Sequence, residues 1–343
     1  MRYEPKHIKV EPKHKRIEPK RGKKRGSAPK KILAFLGYNF VLIVILAPFI
    51  VFKGPFQSLK DFAVDTIYTS RHPQVVKAFV SQTEIDQIMN LTNSQEVVTG
   101  VQVDRTNVTT DTATGITVED IQGKNFKGKV MLIDDPKRVK IAVTSQLGVA
   151  GARVSDLVKD AGAIAGINAG GFYDPSGKGN GAFPDGITIH SGQIVNNNVG
   201  DTTPVHIIGF NADGKLITKD LTAKQVLSTG ITEAVTFTPD LIVNGKAVLK
   251  GDGGWGIAPR TGIGQTADGT VIFVVIDGRQ PTWSLGATLR DLMNVFVEYK
   301  AVTAVNLDGG SSSELVNNGQ VMNRLCDVFG ERYIPTAFVV MPK

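Results

Sequence analysis

The sequence has a single cysteine, Cys326, among 343 residues. No intrachain disulfide can form, so any part of the chain outside a membrane must be held by packing alone. A lone cysteine is more often a small buried apolar residue than a nucleophile. Histidine is scarce too. Of five, only His190 and His206 fall in the strand-rich part of the chain, and they are not in a ligand-like pair. With no C-x-x-C and no H-E-x-x-H, a zinc enzyme is not expected. The G-x-S-x-G elbow is missing as well, so the serines of GGSSS (309–313) are a poor serine-hydrolase signal. A basic excess is lacking over most of the chain. Of the 39 basic and 32 acidic residues, 13 and 3 lie in residues 1–31, which leaves 26 and 29 for the rest. A nucleic-acid-binding domain would need a basic face of its own, so that class is excluded for the main domain.

What is present begins with that basic arm. The triplet EPK recurs at Glu4, Glu11 and Glu18, a period of seven. Its prolines and few apolar residues exclude a coiled coil and predict a solvated low-complexity segment. Residues 32–52 follow without one charge, and about 20 apolar residues cross a bilayer. Lys30 and Lys31 before the run and the arm's charge predict a cytoplasmic N-terminus, with the remainder outside. The long basic region, the long apolar run and the missing A-x-A-like site favour a retained transmembrane helix over a cleaved signal peptide. Residues 53–96 read as a helical stalk. Val76, Phe79, Val80, Ile85, Ile88 and Met89 have helical spacing, and Ser81 or Thr83 can cap a second helix with Asp86 in its first turn. A spacer helix packing on the following domain is the expected role.

From residue 97 to 343 short β-branched runs alternate with Gly, Asn and Asp turns. ADGK (212–215) and ADGT (267–270) are hairpin signals. Helices are predicted at Ala152–Ala161 and Thr288–Lys300, where Leu289, Leu292, Val295, Phe296 and Tyr299 share a face. The predicted fold class is α+β or α/β, a strand-rich mixed sheet domain with few helices, preceded by a single transmembrane helix.

Three apolar runs end alike. AIAGIN stops at Asn168 before Ala-Gly170-Gly171, VIFVVID at Asp277 before Gly278-Arg279, and AVTAVNLD at Asn306 and Asp308 before Gly309-Gly310. Polar groups at strand tips beside glycines, which let a ligand approach the backbone, suit a site. Strand 271–276, helix 288–300 and strand 302–307 read as a β-α-β crossover. That connection makes the two strands parallel and brings Asp277, Arg279, Asn306 and Asp308 to one edge. Any single Asp or Asn here would be an ordinary turn residue; three ends together favour a site. Arg260, in APRTGIG, and Arg332, in GERYIPTAF, add guanidinium forks of the kind that read phosphate or carboxylate, although any one arginine is as commonly a surface ion-pair partner. The motifs name no certain cofactor. DPSGKGNG (174–181) breaks the EF-hand pattern and leaves a divalent cation, calcium or magnesium, open.

These motifs resemble the phosphodiester glycosidase family, which includes the lysosomal uncovering enzyme and bacterial proteins loosely called exopolysaccharide-biosynthesis proteins. The matching pieces are GINAGGFYDPSG (166–177), PDGITIHSGQIV (184–195), APRTGIGQTADGTVIFVVIDGRQ (258–280), LGATLRDLMNVF (285–296), VNLDGGSSSELVNNGQVMNR (305–324) and GERYIPTAFVV (330–340). They stand in family order, and the resemblance suggests a Gram-positive, membrane-anchored version. The resemblance implies hydrolysis of a sugar-1-phosphodiester at its anomeric C–O bond. Against an oxocarbenium-like transition state the carboxylate would come from Asp308 or Asp277, with Glu314 third. Arg260 and Arg332 would hold the phosphate. Asn168 and Asn306 would bind sugar hydroxyls or orient the acid. Gly170, Gly171, Arg279, Gly309, Gly310, Ser311 and Ser312 complete the expected substrate contacts.

The expected substrate is a phosphate-containing glycan of the cell surface or an exopolysaccharide, met outside the cell membrane. The basic arm and anchor would contact anionic lipid at about 1 kcal/mol per basic residue near the surface. No particular protein partner is implied. Two other readings stay open: a non-catalytic cell-wall phosphoglycan-binding module, and a glycan-assembly transferase that uses an acceptor other than water.

Overall fold

The computed structural model describes residues 28–68, 73–93, 103–175 and 179–343; the EPK arm lies outside them. The chain divides into two compact units at residues 50 and 51. The first contains most of the Ala28–Lys53 helix. Its Ile32–Lys53 stretch has a mean hydropathy of 2.4 and is long and apolar enough to cross a membrane. Ile32, Leu33, Phe35 and Phe40 are among its exposed side chains.

In the second unit, helices Gln57–Tyr68, Pro73–Lys77 and Gln82–Asn93 come first. Ser81 caps the last of them, its hydroxyl accepting from the Glu84 backbone at 3.3 Å. Val64, Val76, Val80, Ile85 and Ile88 are buried together with Phe52. These apolar positions form a cluster of their own. The Gln57–Tyr68 helix contributes Ala63 and Val64 to the same cluster. The side chain of Met89 lies outside the described ones.

The remainder is built on three antiparallel sheets, one of eight strands and two of five. The central strand, Val271–Ile276, is buried at every position. Val271, Phe273 and Val275 face a core shared with the smaller sheets, where Phe210 meets Phe338 edge-on at 6.1 Å. Ile272, Val274 and Ile276 face the Leu289–Glu298 helix. A continuous apolar strand follows from cover on both faces, and here the cover does not come from parallel pairing. Truncation of Phe273, which is fully buried, to alanine is expected to cost about 3–5 kcal/mol.

The helix begins in a capping box, Thr288 with Asp291, and buries Leu289, Leu292, Val295, Phe296 and Tyr299 as its spacing predicts. Phe296 reaches the sheet because Gly262 and Gly264 lie beneath it. A Cβ on either would stand 2.8 Å from its ring. Both turn signals form hairpins, Val205–Asn211 with Leu216–Leu221 and Arg260–Thr266 with Val271–Ile276.

The expected crossover takes a modified form. Strands Val271–Ile276 and Ala301–Asn306 each pair antiparallel with Arg260–Thr266, which lies between them. The outer two are therefore parallel but not neighbours, and both end at the edge where the middle strand begins.

Candidate active site

Register decides what meets at that edge. Arg260 stands opposite Ile276, and Gly262 opposite Asn306. Just past the ladder the Leu307 amide donates to the Thr261 carbonyl at 2.9 Å, and the Gly310 amide to Pro259 at 2.9 Å. Asp277, Asp308 and the start of the Arg260 strand thus share one rim, although the sequence separates them by up to 48 positions.

A cleft of about 280 Å³ opens there, lined by Arg260, Arg279, Asp308, Gly309 and Gly310 together with Phe237, Gly254, Trp255 and Ala258. Arg260 is 4% exposed. Its Nε donates to the Ala287 carbonyl at 3.0 Å, and Nη2 donates to the carbonyls of Trp255 at 2.9 Å and Gly256. A buried cation requires such acceptors, and these also fix the loop that carries Trp255. The Trp255 ring meets Phe237 edge-on at 5.9 Å, so two aromatic rings wall the cleft. Arg279 has φ 58°, left-handed for a side chain with a Cβ, a strain of order 1 kcal/mol that clusters at functional sites. Gly310 makes room for it: a Cβ there would meet the Arg279 Nη1 at 3.3 Å.

Asp308 is half-buried and held through its backbone. Its amide donates to Ala169 at 3.1 Å, and its carbonyl accepts from Asn168 Nδ2 at 2.5 Å. Asn168 is 1% exposed, and its Oδ1 accepts from Thr261 Oγ1 and from the Glu314 amide. It therefore ties three strand ends together. Asn306 is equally buried and donates to the Thr238 carbonyl at 2.9 Å. Gly170 and Gly171 lie close against Val235, Thr236 and Phe237, the strand that supplies the aromatic wall. Gly310–Ser312 form a 3-10 turn that buries Ser312 and leaves Ser311 half-buried.

Other sequence-predicted residues lie elsewhere. Asp277 is not in the cleft lining. Its Oδ2 accepts from Trp283 Nε1 at 2.7 Å, and its Oδ1 from the Arg324 amide at 3.0 Å and Asn323 Nδ2 at 3.3 Å. Burial pushes its carboxyl upward, while these donors pull it back. Glu314 is 1% exposed, and burial first, then the neighbouring Glu331 carboxyl, push it up to about 9. Arg332 pairs with Asp174 at 2.8 Å and donates to the Gly179 carbonyl at 3.0 Å. That pairing also occupies the acid of the segment left open for a cation. No cluster of three metal-ligating side chains is found among the described residues.

Sequence reasoning missed Trp255 and Phe237. One signal was present, since GGWG (253–256) surrounds one of only two tryptophans with glycine. Phe237 gave none, as it reaches the cleft only through sheet pairing.

A family model for phosphodiester glycosidases matches residues 161–341. An SPβ prophage-derived uncharacterized protein of Bacillus subtilis strain 168 is 33% identical over 84 residues, which are 24% of this chain. The match spans only 13% of that relative's length. Among solved structures, the zebrafish N-acetylglucosamine-1-phosphodiester α-N-acetylglucosaminidase catalytic domain, auto-inhibited by its pro-peptide, superposes with a TM-score of 0.55. It is 19% identical, with 74% of this chain and 87% of that one covered. A Burkholderia pseudomallei protein gives a TM-score of 0.50 at 18% identity, covering 63% and 74%. At these identities the structural likeness is one of fold.

Proposed function

The chain belongs to the phosphodiester glycosidase family, and from that premise we propose that it hydrolyses sugar-1-phosphodiester linkages of cell-surface or exopolysaccharide glycans in the cleft at the sheet edge. The observation that carries this reading is the gathering of Arg260, Arg279 and Asp308 between the Trp255 and Phe237 rings. The rings offer apolar faces to a sugar. The guanidinium groups face the phosphate, whose leaving oxygen gains charge as the bond breaks. Asp308 supplies the carboxylate that attacks the anomeric carbon or deprotonates the water that does. The anomeric C–O bond breaks, its electron pair leaves on the phosphate oxygen, and the products are a free sugar and a phosphomonoester. The leaving phosphate is a weak base, so charge stabilisation serves it better than a proton donor. Asn168 positions Asp308 through its backbone.

In the same reading, residues 1–31 form a cytoplasmic basic arm, 32–52 the membrane anchor and 53–96 a stalk. Residues 97–343 form the extracellular catalytic domain. The exposed Ile32–Lys53 helix, without a charge over residues 32–52, supports this arrangement.

The test is phosphorus NMR on the detergent-solubilised full-length chain with a panel of sugar-1-phosphodiesters, beside its Asp308→Asn form. Conversion of diester to monoester, lost in the variant, is expected. Phosphoglycan binding unchanged by the substitution, with no turnover in either form, would instead identify a binding module. Product that appears only with an added sugar acceptor would identify a transferase.

A further inference from the structure

Asp277 is 4% exposed and has no part in the chemistry above, yet it organises a second surface. Besides the three donors to its carboxylate, its backbone carbonyl accepts from Ser284 Oγ at 2.6 Å, and that hydroxyl accepts from the Lys127 amide at 3.1 Å. One buried acid thus fixes the Trp283 indole by its N–H, the chain at Asn323 and Arg324, and, through Ser284, the backbone of Lys127. The product is a platform. Trp283 is 39% exposed, with Lys127 Nζ 4.0 Å and the Arg324 guanidinium 5.5 Å from its ring centre. Among the described residues, neither of these cations forms an ion pair, whereas the neighbouring Lys129 pairs with Asp120. The depression around them holds about 510 Å³, within the range of ligand sites.

An exposed indole flanked by two unneutralised cations offers an apolar surface for the C–H face of a sugar and charge for a phosphate. We propose that this platform is a second subsite, which takes a phosphate-bearing repeat of a phosphodiester-linked glycan chain. The substrate is then a polymer held at more than one repeat. The inference rests on the proposed function and extends it from a linkage to a chain. Position supports it. Arg279 of the cleft is two residues beyond Asp277, Gln280 Nε2 donates to the carbonyls of Arg324 and Leu325, and Cys326 Sγ contacts the Gly310 carbonyl at 3.7 Å. Two residues of chain, at most about 7 Å, separate Arg324 from the residue touching the cleft rim. An adjacent repeat can therefore reach the platform.

The experiment uses the full-length chain in detergent with two probes, a methyl-capped sugar-1-phosphodiester with one linkage and a four-repeat phosphodiester-linked oligosaccharide of the same sugar. For Trp283→Ala and for Lys127→Gln/Arg324→Gln, the expected result is a KM for the oligomer raised roughly tenfold, with kcat and the single-linkage kinetics unchanged. Equal losses on both probes, or none on either, overturn the subsite. Arg324→Gln alone, at an exposed position, keeps the test open if another variant fails to fold. Oligomer binding to the Asp308→Asn chain, followed by tryptophan fluorescence, separates the two ideas. Binding that depends on Trp283 without turnover of any probe by the parent chain sinks the glycosidase reading and keeps the subsite. Turnover with platform-independent binding does the reverse. Platform variants that lose phosphatidylglycerol micelles but keep the oligomer would reassign the surface to lipid and overturn the proposal.

Discussion

Asp277 and Glu314 are both acids shut away from solvent near the same sheet edge, and their surroundings treat them oppositely. Asp277 receives three hydrogen-bond donors on its two oxygens. Glu314 has an Oε1 with no partner among the described residues and a second carboxyl, Glu331, beside it. Burial raises both, but only Asp277 is offered donors that favour its ionised form. Glu314, pushed to about 9, holds its proton at neutral pH. A neutral acid outside the cleft is a poor nucleophile for the anomeric carbon. Asp308 differs from both in being half-buried and facing the cleft. Closeness to the strand ends is thus not enough to make a carboxyl catalytic; the solvent and donors around it decide.

The largest expected effect tests that ranking. Asp308→Asn should lower turnover on the order of 10³-fold, as for loss of a nucleophile or base, with thermal unfolding little changed. A similar loss in Glu314→Gln at unchanged stability would break the comparison. Next comes Arg260→Lys, which keeps the charge but cannot reproduce three carbonyl contacts. Turnover should fall on the order of 10²-fold, and stability by about 1.5–3 kcal/mol, measured by urea unfolding.

Glu314 should also mark itself in the pH dependence of stability. Its folded value lies above its unfolded one, so the folded state binds the extra proton between about 4.5 and 9. Stability contributed by this group is complete below that window and is lost as pH rises through it, with a slope of at most about 1.4 kcal/mol per pH unit. Glu314→Gln, which mimics the protonated form, should flatten the denaturation midpoint across pH 5–9. An unchanged slope in the variant would show that Glu314 is not the group responsible.

What the sequence made legible was local or periodic. ADGK and ADGT named two hairpins, the face Leu289 to Tyr299 named a helix, and the crossover placed Asp308 beside Arg279. That the first strand of the ADGT hairpin lies between the crossover partners was not foreseen, because nothing in VIFVVI distinguishes cover by a helix from parallel pairing. Arg332 had a fork but no visible partner; Asp174, its mate, sits 158 positions earlier in a loop read as cation-like. The hold of Asn168 on Asp308 likewise depends on chain segments 140 positions apart meeting across strand ends. Trp283 passed unnoticed because its meaning lies in Asp277, and an acid at a strand end reads first as catalytic.

The smallest effect expected is the one that most sharpens the contrast between the two buried acids. Asp277→Asn is nearly isosteric, but an amide has one acceptor oxygen where the site supplies donors to two. If the amide oxygen accepts from Trp283, its NH2 confronts the Arg324 amide and Asn323 Nδ2; turned over, it confronts the indole N–H. Either way a buried donor is left unmet, at about 1–3 kcal/mol of stability. The platform should loosen, raising KM for a phosphodiester-linked oligomer a few-fold while kcat and single-linkage hydrolysis hold. A collapse of kcat on the single-linkage probe instead would place the Asp277 carboxylate among the reacting groups.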